Sequence, residues 1–173
     1  LRSAAVIRTE IERIIENVAL LAAKATHSPG AELTDEMVSH GELLSTLLFT
    51  EILRERNVPA QWFDIRKVMK TNNNFGRAEP DIARLAELSR SLLTPLVRDS
   101  LVITQGFIGC EDNGLTPTPR RGGSDYTAAL PGEALQARRI DIWTDVPGHY
   151  TTSSPIVPQP VRIPDIHIVR AAA

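Results

Sequence analysis

The chain has 173 residues, of which 42% are hydrophobic and 23% are charged, as is typical of one folded domain. Its 19 Lys and Arg against 21 Asp and Glu give a net charge of -2, which excludes a surface that coats nucleic acid. No apolar run approaches the roughly 18 residues that a bilayer-spanning helix needs, so we expect no membrane association. The single cysteine, Cys110, favours a reducing, cytoplasmic location.

Helical spacing of apolar residues dominates the first third of the chain. It predicts a helix over residues 2–24 and a second one over 34–56. Thr34 has the side chain of an N-cap, and Asp35 would then lie near the positive end of the helix dipole. The next apolar run, 61–65, is short and continuous, which predicts a buried strand.

The remainder alternates helical patterns with short apolar runs. The predicted elements are, in order, a loop over 71–80, a helix over 82–96, a strand over 101–104, a loop over 112–123, a helix over 124–137 and a strand over 140–144. This alternation predicts an α/β fold in which helices flank a mostly parallel sheet. Ligands of such folds bind at the carboxyl ends of the strands.

The strongest local signal is the run Arg120-Arg121-Gly122-Gly123-Ser124-Asp125, which lies between a loop and a helix start. Two glycines allow a close approach of the backbone to a ligand, and a helix N-terminus favours an anion. Arg121 could add a bidentate contact to a carboxylate or phosphate. The structural alternative is a glycine turn followed by Ser124 as N-cap, with both arginines in solvent.

Two carboxylates are further candidates. Glu42 lies beside an apolar stretch, where it suits a substrate ammonium; alternatively it is exposed, or Ser45 and Thr46 satisfy it within the helix. Asp145 follows a predicted strand, where it would bind a nucleotide or start an Asx turn. The four histidines lack metal-ligand spacing relative to Cys110, so no metal site of the protein's own is predicted.

Five stretches together resemble the catalytic domain of aspartokinases, most closely the lysine-sensitive monofunctional type. They are LTDEMVSHGELLSTLLFTEILRERNVPAQWFDIRKVM, NNFGRAEPDI, LVITQGFIG, RGGSDYTAAL and DIWTDVPGHYTT. The resemblance covers most of residues 8–152 in one order. Other amino-acid kinases share the fold but do not usually carry VSHGE, QGFIG, RGGSD and WTDVPG together.

The resemblance implies an activity and its partners. Aspartokinases transfer the γ-phosphoryl group of MgATP to the side-chain carboxylate of L-aspartate, the first step toward lysine, threonine and methionine. ATP is then the cofactor, and Mg²⁺ is bound through the ATP phosphates. The full-length family member is expected to be a homodimer. Positioning and charge neutralisation dominate catalysis of this kind.

The resemblance also implies roles for individual residues. Glu42 would hold the amino group of aspartate, Arg121 would bind a carboxylate, and Phe107 would wall the substrate side. Asp125, together with Arg121, is assigned to catalysis and would orient the phosphate-bound cation. The remaining pocket residues are Gly122, Gly123 and Ser124, and the nucleotide contacts are Thr144, Asp145 and Tyr150.

Departures from the family pattern set the expected boundaries. We expect a partial catalytic domain over 1–152 and a divergent proline-rich tail over 153–173, so that the kinase fold is incomplete. The sequence holds no Lys-Phe-Gly-Gly phosphate loop, and Ser153-Ser154-Pro155 replaces the Asp-Pro-Arg whose arginine contacts ATP. Activity of this stretch alone therefore stays open. The alternatives are a non-catalytic ligand-binding or assembly fragment, and a related kinase acting on glutamate or a carbamate, against which the HGE motif argues.

Overall fold

The computed structural model describes residues 4–119, 123–143 and 161–165. The chain divides into two compact units, Leu1–Ile140 and Asp141–Ala173. The described residues of the second unit belong to no helix or named strand. The predicted boundary between residues 152 and 153 stays a prediction, and the elements below belong to the first unit.

Two long helices open the chain. Helix α1 spans Ala4–Ala25 and helix α2 spans Ala31–Glu55, which confirms both predicted helices. The prediction of Thr34 as N-cap is wrong, because the extended residue Gly30 occupies that position. Thr34 lies one turn inside the helix, where its hydroxyl donates to the Gly30 carbonyl at 3.0 Å, a bond that helical threonines commonly make.

The two strands predicted over 61–65 and 101–104 are present as a parallel pair, although the first is shorter than predicted. Strand β1 spans Ala60–Trp62 and strand β2 spans Leu101–Ile103, with Gln61 opposite Val102. In the described part of the chain the sheet consists of these two strands. A single 3₁₀ turn, Ile65–Lys67, follows β1. Because the strands are parallel, their carboxyl ends meet at one edge of the sheet, where the polar residues of the candidate site lie.

The connection between the strands ends in one continuous helical segment, which follows the 3₁₀ turn and a loop. This segment consists of α3 (Ile82–Leu88), a π-helical segment (Ser89–Leu93) and α4 (Thr94–Asp99). Pro95 has no N–H to donate to the carbonyl four residues earlier, which favours the wider π turn just before it. The predicted helix after Pro80 is therefore confirmed, with an irregularity that its periodicity did not indicate.

The last helix, α5, spans Gly123–Ala134 and agrees with the helix predicted over 124–137. The strand predicted over 140–144 is wrong for residues 140–143, which adopt no strand, while Thr144 lies outside the described residues. Ile142 and Trp143 are exposed, Trp143 at 93%. A strand needs a hydrogen-bonded neighbour, and in the described part of the chain these residues have no partner strand.

The core lies around the segment that follows β1. Its buried apolar residues are Leu43, Phe63, Ile65, Val68, Met69, Leu85, Leu93, Ile108 and Leu130. They come from α2, from the exits of both strands and from the helices α3 and α5 together with the π segment. The core therefore fixes the strand exits against α2. None of the helices in the described ranges combines the length and hydropathy needed to cross a bilayer.

Candidate functional site

Glu42 lies near the middle of α2 with its side chain half-buried. In the described part of the chain its carboxylate has no hydrogen bond or salt bridge, and burial raises the pKa of this carboxyl above its usual value. The hydroxyls of Ser45 and Thr46 donate to the Glu42 backbone carbonyl, at 3.2 and 2.7 Å. The alternative in which these hydroxyls satisfy the carboxylate is therefore wrong, and the carboxylate is available to a cationic ligand.

The turn of α2 that carries Glu42 is tied to both strand exits. The Thr46 hydroxyl oxygen accepts hydrogen bonds from Trp62 Nε1 at 3.0 Å and from Gln105 Nε2 at 2.8 Å. The side-chain oxygen of Gln105 in turn accepts from the Ile65 backbone N–H at 3.0 Å. Gln105 is buried, and these contacts connect the helix turn of Glu42 with the residues that follow β1 and β2.

Phe107 lies two residues beyond Gln105 and has a left-handed backbone, with φ of 65°. That conformation is uncommon for a bulky residue and is typical of functional sites. The Phe107 N–H donates to the Thr127 hydroxyl on α5 at 2.8 Å, and this hydroxyl donates to the Ser124 carbonyl at 3.1 Å. Thr127 therefore holds the strained turn against the first turn of α5.

The first turn of α5 carries the described part of the RGGSD motif. Gly123 is buried, and a Cβ added there would lie 2.4 Å from Pro119 Cγ and 3.6 Å from the Phe107 ring. Ser124 and Asp125 are exposed in the same turn, where the helix dipole favours a carboxylate. The alternative of Ser124 as N-cap is wrong, because the helix already begins at Gly123.

The structure thus brings Phe107, Gly123 and Ser124 together, and Thr46 and Gln105 connect Glu42 to them. Asp125 lies in the same helical turn as Ser124. The other predicted site residues lie outside the described residues, and their roles stay predictions. They are Arg121, Gly122, Thr144, Asp145 and Tyr150.

Sequence reasoning missed a buried carboxylate, Asp35, which is only 4% exposed. Its oxygens accept bonds from the Gly76 N–H at 2.7 Å, the Thr118 N–H at 2.7 Å and the Thr118 hydroxyl at 2.9 Å. The prediction that Asp35 lies near the positive end of the helix dipole depends on a helix that begins at Thr34. Since α2 begins at Ala31, Asp35 lies in its second turn and fastens two loops to α2.

No cluster of three or more His, Cys, Asp or Glu side chains in the described ranges is arranged to hold a metal ion. The site as described therefore offers one half-buried carboxylate, a strained aromatic turn and a helix start. These are groups for binding a small ligand that carries both a positive charge and negative charges.

Comparison with known proteins adds the family context. A model of the amino acid kinase family matches residues 3–173. The chain is 62% identical over 172 residues to lysine-sensitive aspartokinase 3 of Escherichia coli (strain K12), covering 99% of this chain and 38% of that protein. It is 34% identical over 122 residues to an aspartokinase of Chlamydia muridarum, covering 70% of this chain and 28% of that protein.

Solved structures agree with these relatives. The structure of Escherichia coli aspartokinase III in complex with aspartate and ADP matches with a TM-score of 0.87 and 64% identity, covering 94% of this chain and 36% of that one. The same enzyme with lysine and aspartate matches with a TM-score of 0.83. The chain thus spans less than two fifths of the length of these relatives. The predicted resemblance and the α/β kinase fold class are confirmed.

Proposed function

The chain belongs to the amino acid kinase family, and from this membership we propose that it is the central part of an aspartate kinase catalytic domain. The proposed reaction transfers the γ-phosphoryl group of MgATP to the side-chain carboxylate of L-aspartate. One observation carries the proposal beyond family likeness. Glu42 presents a carboxylate that no described residue neutralises, on a turn connected to Phe107 and the start of α5.

The substrate of such an enzyme carries an ammonium group and two carboxylates. A half-buried carboxylate without a partner binds an ammonium group strongly. The attraction within the new ion pair offsets the cost of having partly desolvated the carboxylate. The start of α5 offers backbone N–H groups to a carboxylate or phosphate. Arg121 would supply the cation that neutralises a substrate carboxylate, with Gly122, Gly123 and Ser124 around it.

The chemical step itself needs little from the protein beyond alignment. An oxygen of the aspartate side-chain carboxylate forms a bond to the γ-phosphorus, and the bond from that phosphorus to the β–γ bridging oxygen breaks. The products are an acyl phosphate and ADP. Glu42 and Phe107 fix the substrate at its ammonium end, so that the opposite carboxylate is directed at the phosphate.

The nucleotide side rests on residues assigned by resemblance. Thr144, Asp145 and Tyr150 would contact ATP, a partner consistent with the ADP in the matching aspartokinase III structure. Asp125 would orient a cation carried on the phosphates, a role assigned by resemblance, and its carboxylate is exposed in the first turn of α5. Mg²⁺, when bound, neutralises phosphate charge. We propose the homodimer for the complete protein on the same resemblance.

The direct test follows acyl-hydroxamate formation when the complete protein is incubated with aspartate, MgATP and hydroxylamine. We expect a product that depends on aspartate and ATP. Glutamate in place of aspartate tests the related-kinase alternative. Absence of product, together with no binding of aspartate or an ATP analogue in calorimetry, would support a non-catalytic assembly role.

Substitution of Glu42 tests the ammonium site. Glu42→Ala should raise the KM for aspartate by about 10- to 150-fold, since losing a charged hydrogen-bond partner costs roughly 1.5–3 kcal/mol. The KM for ATP should change little. Glu55→Ala removes an exposed acid from the last turn of the same helix and serves as the control. An unchanged KM for aspartate in the Glu42 variant would remove its assigned role.

A further inference from the structure

The Thr46 hydroxyl uses all its hydrogen-bonding capacity. A hydroxyl donates one bond and accepts two, and Thr46 donates to the Glu42 carbonyl while accepting from Trp62 and Gln105. The Gln105 amide is oriented unambiguously, because the Ile65 N–H can only donate and must face its oxygen. Three elements therefore meet at one oxygen atom.

We propose that Thr46 is a positioning residue for aspartate binding. It holds the Glu42 turn of α2 at a fixed place relative to Gln105, and hence to the Phe107 turn two residues later. This inference rests on the proposed function, in which Glu42 binds the ammonium and Phe107 walls the substrate. Without the shared hydroxyl, the carboxylate and the aromatic wall would be aligned only by apolar packing, which fixes direction less sharply than hydrogen bonds.

Thr50 shows that the helical bond alone does not create this connection. Its hydroxyl donates to the Thr46 carbonyl at 2.7 Å, the same bond within the helix that Thr46 makes one turn earlier. Thr50 is fully buried, yet in the described ranges its hydroxyl reaches no other element. The two threonines differ in whether the hydroxyl joins α2 to the strand exits, which makes Thr50 the matched control.

The experiment compares three variants of the complete protein. Thr46→Val keeps the side-chain shape and removes the hydroxyl, Thr46→Ser keeps the hydroxyl, and Thr50→Val removes the control hydroxyl. We expect Thr46→Val to raise the KM for aspartate by about tenfold, while kcat at saturating aspartate and the KM for ATP stay within about threefold. Thr46→Ser and Thr50→Val should leave the KM for aspartate within about threefold of the wild type.

A general loss of packing would change the KM for both substrates and kcat together. Thr50→Val would then show the same changes as Thr46→Val. The inference would be overturned if Thr46→Val had the same KM for aspartate as the wild type. It would also be overturned if Thr50→Val raised this KM as much as Thr46→Val does. If the wild-type protein itself lacks aspartate kinase activity, the proposed function fails first, and the inference fails with it.

A fourth variant covers the case in which Thr46→Val does not fold. Trp62→Phe removes one of the two donors to the Thr46 oxygen and keeps an aromatic ring. We expect it to raise the KM for aspartate by about fivefold, above the threefold range allowed for the control variants, with little change in the KM for ATP. An unchanged KM for aspartate in this variant would also count against the inference.

Discussion

At the residue scale, the proposed role of Glu42 in binding comes with a cost to folding. Burial raises its pKa and no described residue offsets its charge, so the ionised form is less favourable in the folded state than in the unfolded one. Such a carboxylate contributes most to stability when protonated, and that contribution is lost as the pH rises through its raised folded-state pKa. Bound substrate ammonium would offset the cost, as expected of a site that trades stability for function.

Glu42→Gln should therefore stabilise the ligand-free protein at pH 7. The gain should be less than about 1 kcal/mol, because the side chain is half-exposed and solvent screens it. The gain should vanish below pH 4.5, which is the ordinary pKa of this carboxyl, because the group is then protonated in both the folded and the unfolded state. Urea denaturation of both proteins at pH 7 and pH 4 measures the difference. A larger gain at pH 4 than at pH 7 would contradict this assignment.

At the element scale, the close approach of α5 to the preceding loop depends on the absence of a Cβ at Gly123. A Cβ on Gly123 would lie 2.4 and 2.8 Å from the Cγ and Cβ of Pro119, whose ring is rigid. Either the loop or the helix start would have to move, and Phe107 packs at the same place. The glycine is thus required by close packing, in addition to any contact with a ligand.

Gly123→Ala should destabilise the protein by about 1–3 kcal/mol, the usual cost of overpacking a rigid site. Gly41→Ala is the matched control, because a Cβ on Gly41 meets nothing within 4 Å and the residue lies inside α2. This control should stabilise by up to about 1 kcal/mol through helix propensity. Urea unfolding followed by circular dichroism measures both changes, and equal effects of the two substitutions would refute the packing argument.

Elements themselves were predictable where local periodicity determines them. Both long helices, the two strands and α5 follow from apolar spacing. The π segment does not follow from apolar spacing, because it depends on Pro95. Within this segment Leu93 is buried while Leu92 is 41% exposed, so the buried face differs from the one that the spacing predicts. The strand at 140–143 failed because pairing partners, which sequence patterns do not reveal, decide whether an apolar run forms a strand.

The same limit applies to the candidate site. Glu42 and Phe107 were identified by motif, but their connection through Thr46 and Gln105 was not. Those two residues are 59 positions apart, and only the fold brings them together. Asp35 was assigned from a local rule about helix starts, while its actual partners include Thr118, 83 positions later.

At the scale of the whole molecule, Asp35 joins three distant segments. It belongs to α2, Gly76 to the loop after the 3₁₀ turn, and Thr118 to the loop that leads to α5. The Thr118 carbonyl also accepts from the Ala78 N–H at 2.9 Å, so the two loops bind each other as well. The carboxylate therefore sets the path of the chain toward the RGGSD motif.

Removing this carboxylate should loosen both loops together. Asp35→Ala leaves the two buried donors of Thr118 unpaired and should cost about 2 kcal/mol or more, at roughly 1–3 kcal/mol for each buried unsatisfied group, whereas the N–H of the exposed Gly76 can bond to water. Asp35→Asn keeps the shape and one acceptor oxygen, and should cost about 1 kcal/mol. Urea unfolding measures these losses, with Glu55→Ala as a surface-acid control.

Amide exchange should accelerate at Gly76 and Thr118 in the Ala variant, because both N–H groups lose their acceptor. Faster exchange at only one of them would mean that the loops open independently and that Asp35 does not couple them.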